Sequence, residues 1–187
     1  SSDLYRLYFK EKPVHSEILA SNLASVMADK SCIQLLRLVI QEIGRVARYN
    51  KDRGESVLGI DADLRRWAFP TVNPARPRLR GGEQSLYVEV HVPLIKEEGT
   101  LLVDSELLLS MLSPPLRHVA RAVIMEPVLE RHFHPRPLLL ELLANFIRHG
   151  RRDLLPRLLK ETNALIPLEF KGMDLHPLHR GEVYRAY

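Results

Sequence analysis

The sequence predicts an α+β fold that is predominantly α, and three patterns in the 187-residue chain point to it. Apolar residues recur at helical spacing near the start and near the end of the chain, whereas a central stretch alternates apolar with polar residues. The length suits one full-sized hydrophobic core and is short for two. We therefore expect a single domain with an N-terminal helical pair, a central β-hairpin and a C-terminal helical hairpin.

The N-terminal helical pair is assigned to residues 1–54. Its first helix, residues 16–29, carries Leu19 and Leu23 among apolar residues at helical spacing. The second helix, residues 31–49, has an apolar stripe so wide that burial on two sides is expected. Its remaining polar stripe is interpreted as a solvated face.

Residues 55–84 form a predicted loop rich in proline and arginine. Asp61 or Asp63 is expected to cap a short helix that ends at Trp67. The two carboxylates also resemble a minimal divalent-cation motif, but capping explains them through the helix dipole and is favoured. Three prolines exclude further helix in this loop: Pro70, Pro74 and Pro77.

A β-hairpin is predicted over residues 85–104. Leu86, Val88 and Val90 alternate with less apolar residues, which is typical of a half-buried strand. The Lys-Glu-Glu-Gly run at 96–99 predicts a turn into a second strand at 100–103.

Residues 105–161 form the predicted helical region, with short helices at 106–112 and 116–125. The clearest helix is 137–149, which has proline in its first turn and Gly150 at the position of a C-terminal cap.

Asp153 is expected to cap a further helix at 154–161, which completes a helical hairpin. The tail, residues 162–187, has little periodicity and is predicted to be either a wrapping arm or a mobile end.

Cysteine content and the lack of a signal or membrane-spanning segment in the sequence indicate the compartment. The single cysteine, Cys32, lies in an apolar run, so we expect a buried thiol in a reducing compartment. The first residues do not resemble a signal peptide, and no apolar stretch is long enough to span a bilayer. The expected location is cytoplasmic or nuclear. The Ser-Ser start is interpreted as the beginning of a fragment of a larger protein.

No sequence motif indicates an enzyme. The chain has no Gly-rich phosphate loop, nucleophile elbow, His-Glu-x-x-His pair or paired-cysteine metal motif. His132 and His134 are the best metal candidates, because alternate residues of an extended segment point the same way, but two ligands do not make a site. We therefore predict no catalytic residue, no metal and no cofactor.

Arginine clusters are the strongest functional signal in the sequence. Cations and aromatic residues are interleaved in the proline-rich loop, and a second cation group follows in the C-terminal helices. Alternatively, Trp67 and Phe69 anchor the loop onto the core while the arginines are solvated or paired with acids. The predicted partner-binding residues are Arg65, Arg66, Trp67, Arg76, Arg78, Arg80, Arg148, Arg151, Arg152 and Arg157.

Two functions fit these clusters. The first is a non-catalytic protein-protein interaction or scaffold domain of a larger intracellular assembly, with a basic surface for an acidic protein partner. The second is a nucleic-acid-binding module that uses the arginine-rich loop and the basic C-terminal helices. Nucleic-acid binding should weaken steeply with salt, whereas an apolar protein interface should not.

Overall fold

The computed structural model describes residues 15–53, 56–88, 94–102 and 129–187. Within these ranges the chain forms five α-helices and five short antiparallel strands, so the predicted α+β, predominantly α class is confirmed. The short helices predicted at 106–112 and 116–125 lie outside the described residues. The α-helices are α1, Ala20–Val26; α2, Asp29–Arg53; α3, Pro135–Arg148; α4, Leu155–Glu169; and α5, Arg180–Ala186.

The N-terminal helical pair is present as α1 and α2, but the first predicted helix is interrupted. A 3₁₀ turn at Ser16–Ile18 precedes α1, and Leu19 between them is extended, with ψ of 139°. Leu19 forms an antiparallel bridge with Ala68, and Phe69 N–H donates to the Ile18 carbonyl at 2.9 Å. Pairing with a distant segment therefore overrides the local helical pattern at this point.

Two small sheets replace the single predicted hairpin. The strands are β1, Ser56–Leu58; β2, Trp67–Ala68; β3, Leu86–Tyr87; β4, Ile95–Glu97; and β5, Thr100–Leu101. Strand β4 pairs with both β1 and β5, whereas β3 pairs with β2.

A central hairpin is therefore present between β4 and β5, and the first predicted strand has a different partner. Glu98 and Gly99 both have positive φ, 49° and 78°, which is the geometry of a two-residue hairpin turn. This turn places Glu97 opposite Thr100 and leaves Leu86–Tyr87 to pair with Trp67–Ala68.

The hydrophobic core lies between α2, α3 and α4, and the central loop packs against it. Cys32 is buried within this core, as predicted, and burial raises the pKa of its thiol despite the opposing charge of Arg151. The largest fully buried side chains include Trp67, Phe69, Phe146 and Phe170.

The described tail is an ordered arm that packs against α3. Leu178 and Val183 are buried, and the Asn163 side chain accepts from Leu178 N–H at 2.8 Å and donates to its carbonyl at 3.0 Å. Helix α5 contacts α3, so of the two alternatives for the tail the structure has the wrapping arm. No helix in the described ranges is long and apolar enough to cross a bilayer.

The C-terminal helical hairpin consists of α3 and α4. Helix α4 continues to Glu169 with Pro167 inside it, beyond the predicted end. The predicted cap by Asp153 is wrong, because a 3₁₀ turn at Arg152–Leu154 leads into α4 and no side chain caps its start.

Gly150 lies directly after α3 with φ of +81°, as its predicted capping position requires. An added Cβ would meet nothing within 4 Å, so the cost of Gly150→Ala is purely conformational. We expect this substitution to lower the free energy of unfolding by about 1–2 kcal/mol in urea denaturation. Gly181→Ala is the matched control, because Gly181 lies inside α5 with equal space around it and no positive φ. That control should raise stability by roughly 0.5–1 kcal/mol, and two equal effects would contradict the assignment.

Candidate interaction surface

Arg65 and Arg66, the first two candidate arginines, lie beside the two carboxylates of the Asp61-Ala62-Asp63 run. The Asp63 carboxylate accepts from Arg65 N–H at 2.8 Å, which confirms the predicted cap, and also binds the Arg65 guanidinium at 2.5 Å. Burial opposes ionisation of Asp63, but the hydrogen bonds and charge of Arg65 outweigh it and lower the pKa of this carboxyl. Arg66 lies 3.6 Å from the Asp61 carboxylate. Both cations therefore have acidic neighbours within their own loop.

Trp67 belongs to the core rather than to a binding surface. Its side chain is only 1% exposed, its Nε1 donates to the Asp61 carbonyl at 3.1 Å, and its ring meets Tyr87 edge-on at 5.2 Å. Phe69 is also fully buried. The structure therefore has the alternative arrangement, in which these aromatic residues anchor the loop, and Trp67 is corrected from a stacking residue to an anchor.

Three candidate arginines lie on an exposed part of the loop that we call the arginine segment, residues 76–80. Arg76, Arg78 and Arg80 are exposed, Pro77 is half-buried, and Leu79 is only 8% exposed. Leu79 N–H donates to Ser31 Oγ at 3.4 Å, which ties the segment to the first turn of α2. Within the described ranges, the three guanidinium groups make no hydrogen bond or ion pair.

Local hydrogen bonds hold both ends of the arginine segment. Asn73 accepts from Ala75 N–H through its side chain at 3.0 Å and from Arg76 N–H through its carbonyl at 3.1 Å. At the other end, the Glu83 carboxylate accepts from the N–H groups of Arg80 and Gly81 at 2.5 and 2.8 Å.

These bonds outweigh burial and, with the charge of Arg80, lower the pKa of Glu83. Since that carboxylate partly offsets the Arg80 charge, the segment and its flanking acid together carry about two net positive charges. Because hydrogen bonds fix both ends of the segment, the three arginines extend from a backbone of defined position.

Arg151 is a structural residue that links α1, α2 and the α3–α4 connection. Its side chain is 12% exposed and lies against the end of α1, where it donates to the Ala24 and Met27 carbonyls at 3.1 and 2.6 Å. It also donates to the Asp29 carboxylate at 2.7 Å and lies 3.0 Å from Cys32 Sγ. The structure therefore gives Arg151 a structural role, because its guanidinium satisfies groups of its own chain, and its part in partner binding stays a prediction.

The remaining C-terminal arginines are engaged within the fold. Arg157 donates to Asp29 at 2.9 Å, and Arg148 donates to Glu141 at 2.8 Å. Arg152 lies over the Tyr184 ring at 5.3 Å from its centroid. The predicted C-terminal basic surface is thus largely paired.

The start of the loop cluster lies near the end of α3. Burial lowers the pKa of His149, at the end of α3, and the charges of Asp63 and Arg65 also act on it. Arg65 therefore lies near the Arg148 region, whereas the arginine segment is anchored on the first turn of α2.

The two histidines singled out as metal candidates have separate contacts in the structure. Residues Arg131–Phe133 form a 3₁₀ turn, so the extended segment assumed for the two histidines is wrong at His132, although His134 itself is extended. His132 Nδ1 lies 3.2 Å from the Ile60 carbonyl, and His134 lies 3.6 Å from Glu130. No group of three possible metal ligands occurs among the residues that the structure describes.

Nothing among known protein families, curated proteins or solved structures matches this chain.

Sequence reasoning missed Asp29, whose carboxylate holds both Arg151 and Arg157. The partners are separated by 122 and 128 residues, so no local spacing could indicate the pairing. The sequence placed Asp29 at the end of the first predicted helix, whereas in the structure it lies in the first turn of α2, where the helix dipole already favours an acidic residue.

Proposed function

We propose that this chain is a non-catalytic protein-interaction domain that recruits an acidic partner protein through Arg76, Arg78 and Arg80. One observation carries the proposal: these three candidates are exposed and make no side-chain hydrogen bond or ion pair to any described residue. Arginine pairs with carboxylates through parallel hydrogen bonds in a fixed fork geometry. Unpaired guanidinium groups are therefore suited to the acidic side chains of another protein.

The anchoring of the arginine segment supports binding. Leu79 is buried between two of the arginines, and Glu83 fixes the backbone that follows. A backbone that is already ordered loses less conformational entropy when a partner binds. We place this interaction in a larger cytoplasmic or nuclear assembly, for which the domain would serve as a scaffold.

Nucleic acid is the competing ligand, and the burial of the loop aromatics disfavours it. Single-stranded nucleic-acid sites combine a basic groove with aromatic side chains on which bases stack. Trp67 and Phe69, which were the candidate stacking residues, lie in the core. What remains on the surface is charge alone, which suits carboxylates as well as phosphates.

The proposal is tested with the triple variant Arg76→Gln, Arg78→Gln, Arg80→Gln. Fluorescence anisotropy would follow binding of a labelled glutamate-rich peptide, with a single-stranded RNA of equal charge in parallel. Each lost ion pair at an exposed site is worth about 0.5 kcal/mol, so we expect the triple variant to bind the peptide roughly tenfold more weakly.

A matched control removes three other exposed cations with Lys160→Gln, Lys171→Gln and Arg185→Gln. This control makes the same change in net charge on other parts of the chain, so it should keep most of the peptide affinity. Equal losses of peptide affinity in the two triple variants would show that binding depends only on net charge and would contradict the proposal. If the unaltered protein binds the RNA more tightly than the peptide, the proposed ligand is nucleic acid and not an acidic protein.

A further inference from the structure

We propose that Arg152, Arg180 and Tyr184 form a binding site for a dianionic phosphate group. The site uses no residue of the arginine segment, so it goes beyond the proposed function. Three features carry it. Two guanidinium groups meet at one phenol, neither has an acidic partner among the described residues, and the backbone that carries them is anchored.

Two arginines from different elements meet at the Tyr184 ring. Arg152 lies in the 3₁₀ turn before α4, and its guanidinium carbon is 5.3 Å from the ring centroid. Arg180 begins α5 four residues before Tyr184, which places both side chains on one face of the helix. Its guanidinium carbon lies 5.4 Å from the same centroid, and its Nη2 donates to the phenol oxygen at 3.1 Å. The two cations are therefore held at one tyrosine.

No described carboxylate balances these two charges. The acids nearest in the sequence contact other cations, since Asp153 lies 4.0 Å from Arg151 and Glu182 pairs with a different arginine at 2.7 Å. Arg152 and Arg180 are both exposed and form no ion pair with any described residue. Like charges that are held close together repel each other, and an anion bound between them relieves this repulsion.

The half-buried Tyr184 phenol adds a hydrogen-bond donor to the two cations. Its oxygen accepts from Arg180, while its own proton is donated to no described residue. The hydrogen bond from Arg180 and the neighbouring Arg152 guanidinium lower the pKa of this phenol. The phenol oxygen therefore lies in a positive potential, which also attracts the anionic group of a ligand.

The backbone that carries these side chains is anchored on both sides of the site. Arg151, directly before the 3₁₀ turn, donates to the Asp29 carboxylate at 2.7 Å. In α5, Val183 is buried, and the backbone of Leu178 just before the helix is hydrogen-bonded to the Asn163 side chain. A site whose backbone is already ordered loses less conformational entropy when a ligand binds.

Phosphate fits this arrangement better than a carboxylate does. A phosphate monoester carries a charge of about −1.5 to −2 at neutral pH and has three strong acceptor oxygens. Those oxygens can accept from two guanidinium groups and one phenol at the same time. A carboxylate has one charge and two oxygens, which a single arginine satisfies through parallel hydrogen bonds. Two arginines and a phenol therefore favour the dianion.

Nuclear magnetic resonance of the full chain tests the site, with the tyrosines isotope-labelled at ring carbon Cζ. The Tyr184 signal is identified by its loss in Tyr184→Phe. Inorganic phosphate would be added at constant ionic strength, and we expect a saturable shift of this signal. The double variant Arg152→Gln, Arg180→Gln should bind phosphate roughly tenfold more weakly, the loss expected for two exposed ion pairs.

The double variant Lys160→Gln, Lys171→Gln is the matched control, because it makes the same change in net charge on other exposed residues. It should keep its affinity for phosphate. The Arg76/Arg78/Arg80→Gln variant should keep it as well, which separates this site from the proposed function. Equal losses in the two double variants, or a Tyr184 signal that does not respond to phosphate, would overturn the proposal.

Further titrations identify the ligand. Inorganic phosphate represents the free ion and phenyl phosphate represents a monoester, so the tighter of the two shows which source of phosphate the site takes. Acetate and dimethyl phosphate each carry one negative charge, and we expect both to bind more weakly than inorganic phosphate. If either of them binds as tightly as phosphate, the assignment of a dianionic ligand is overturned.

Discussion

Replacing Arg151 with methionine is expected to lower the free energy of unfolding by about 2–3 kcal/mol, because one guanidinium satisfies several groups of the fold. The side chain is 12% exposed and donates to the Ala24 and Met27 carbonyls and to the Asp29 carboxylate. Methionine keeps most of the apolar stem but leaves those acceptors without their donor. Asp29 is half-exposed and regains water, which limits the loss. Urea denaturation followed by circular dichroism measures the change.

A surface arginine provides the control for this effect. Arg45 is 71% exposed and pairs only with Glu42 on the same helix at 2.8 Å. Arg45→Gln should therefore change stability by no more than about 0.5 kcal/mol. Arg151→Lys should recover only part of the loss, since a single ammonium cannot reproduce the planar fork. If the Arg151→Met and unaltered proteins are equally stable, the structural role of Arg151 is contradicted.

Trp67→Ala is expected to have the largest effect on stability, a loss of about 3–5 kcal/mol. The substitution opens a cavity beneath the loop, removes the edge-on contact with Tyr87 and leaves the Asp61 carbonyl without its donor. Trp67→Phe fills more of the cavity and should cost less, which makes it the matched comparison. The same urea series gives both values.

Intrinsic fluorescence provides an independent check, because Trp67 is the only tryptophan in the sequence. We expect blue-shifted emission and slow quenching by acrylamide, since the side chain is 1% exposed. Quenching as rapid as that of free tryptophan would contradict its burial. It would also restore the aromatic surface on which the nucleic-acid alternative depends.

Local pattern predicted the helices well and the strand pairing less well. Helices α2 and α3 follow directly from apolar periodicity, and the cap residue Gly150 marks the end of α3. The pairing of Leu86–Tyr87 with Trp67–Ala68 could not be predicted, because alternation identifies a strand but not its partner. The break at Leu19 likewise depends on a bridge to Ala68, far along the chain.

The candidate site shows the same division between local and distant information. Asp63 and Arg65 are two residues apart, so their capping interaction was predictable from the sequence. The links from Asp29 to Arg151 and Arg157 form only on folding, and they give two predicted residues a partner within the chain. Arg76, Arg78 and Arg80 were predicted from the sequence as binding residues. That they have no partner among the described residues depends on the positions that the acidic side chains take in the folded chain.

The most direct test of the acidic-partner proposal is a charge exchange across the interface. The variant Arg76→Glu, Arg78→Glu, Arg80→Glu would be titrated with the labelled glutamate-rich peptide and with a lysine-rich peptide of the same length, using fluorescence anisotropy at low ionic strength. Our account predicts that the variant loses the glutamate peptide and gains the lysine peptide, because the charge pairs across the interface are restored with reversed sign. If the variant still binds the glutamate peptide as the unaltered protein does, the arginine segment is not the binding surface.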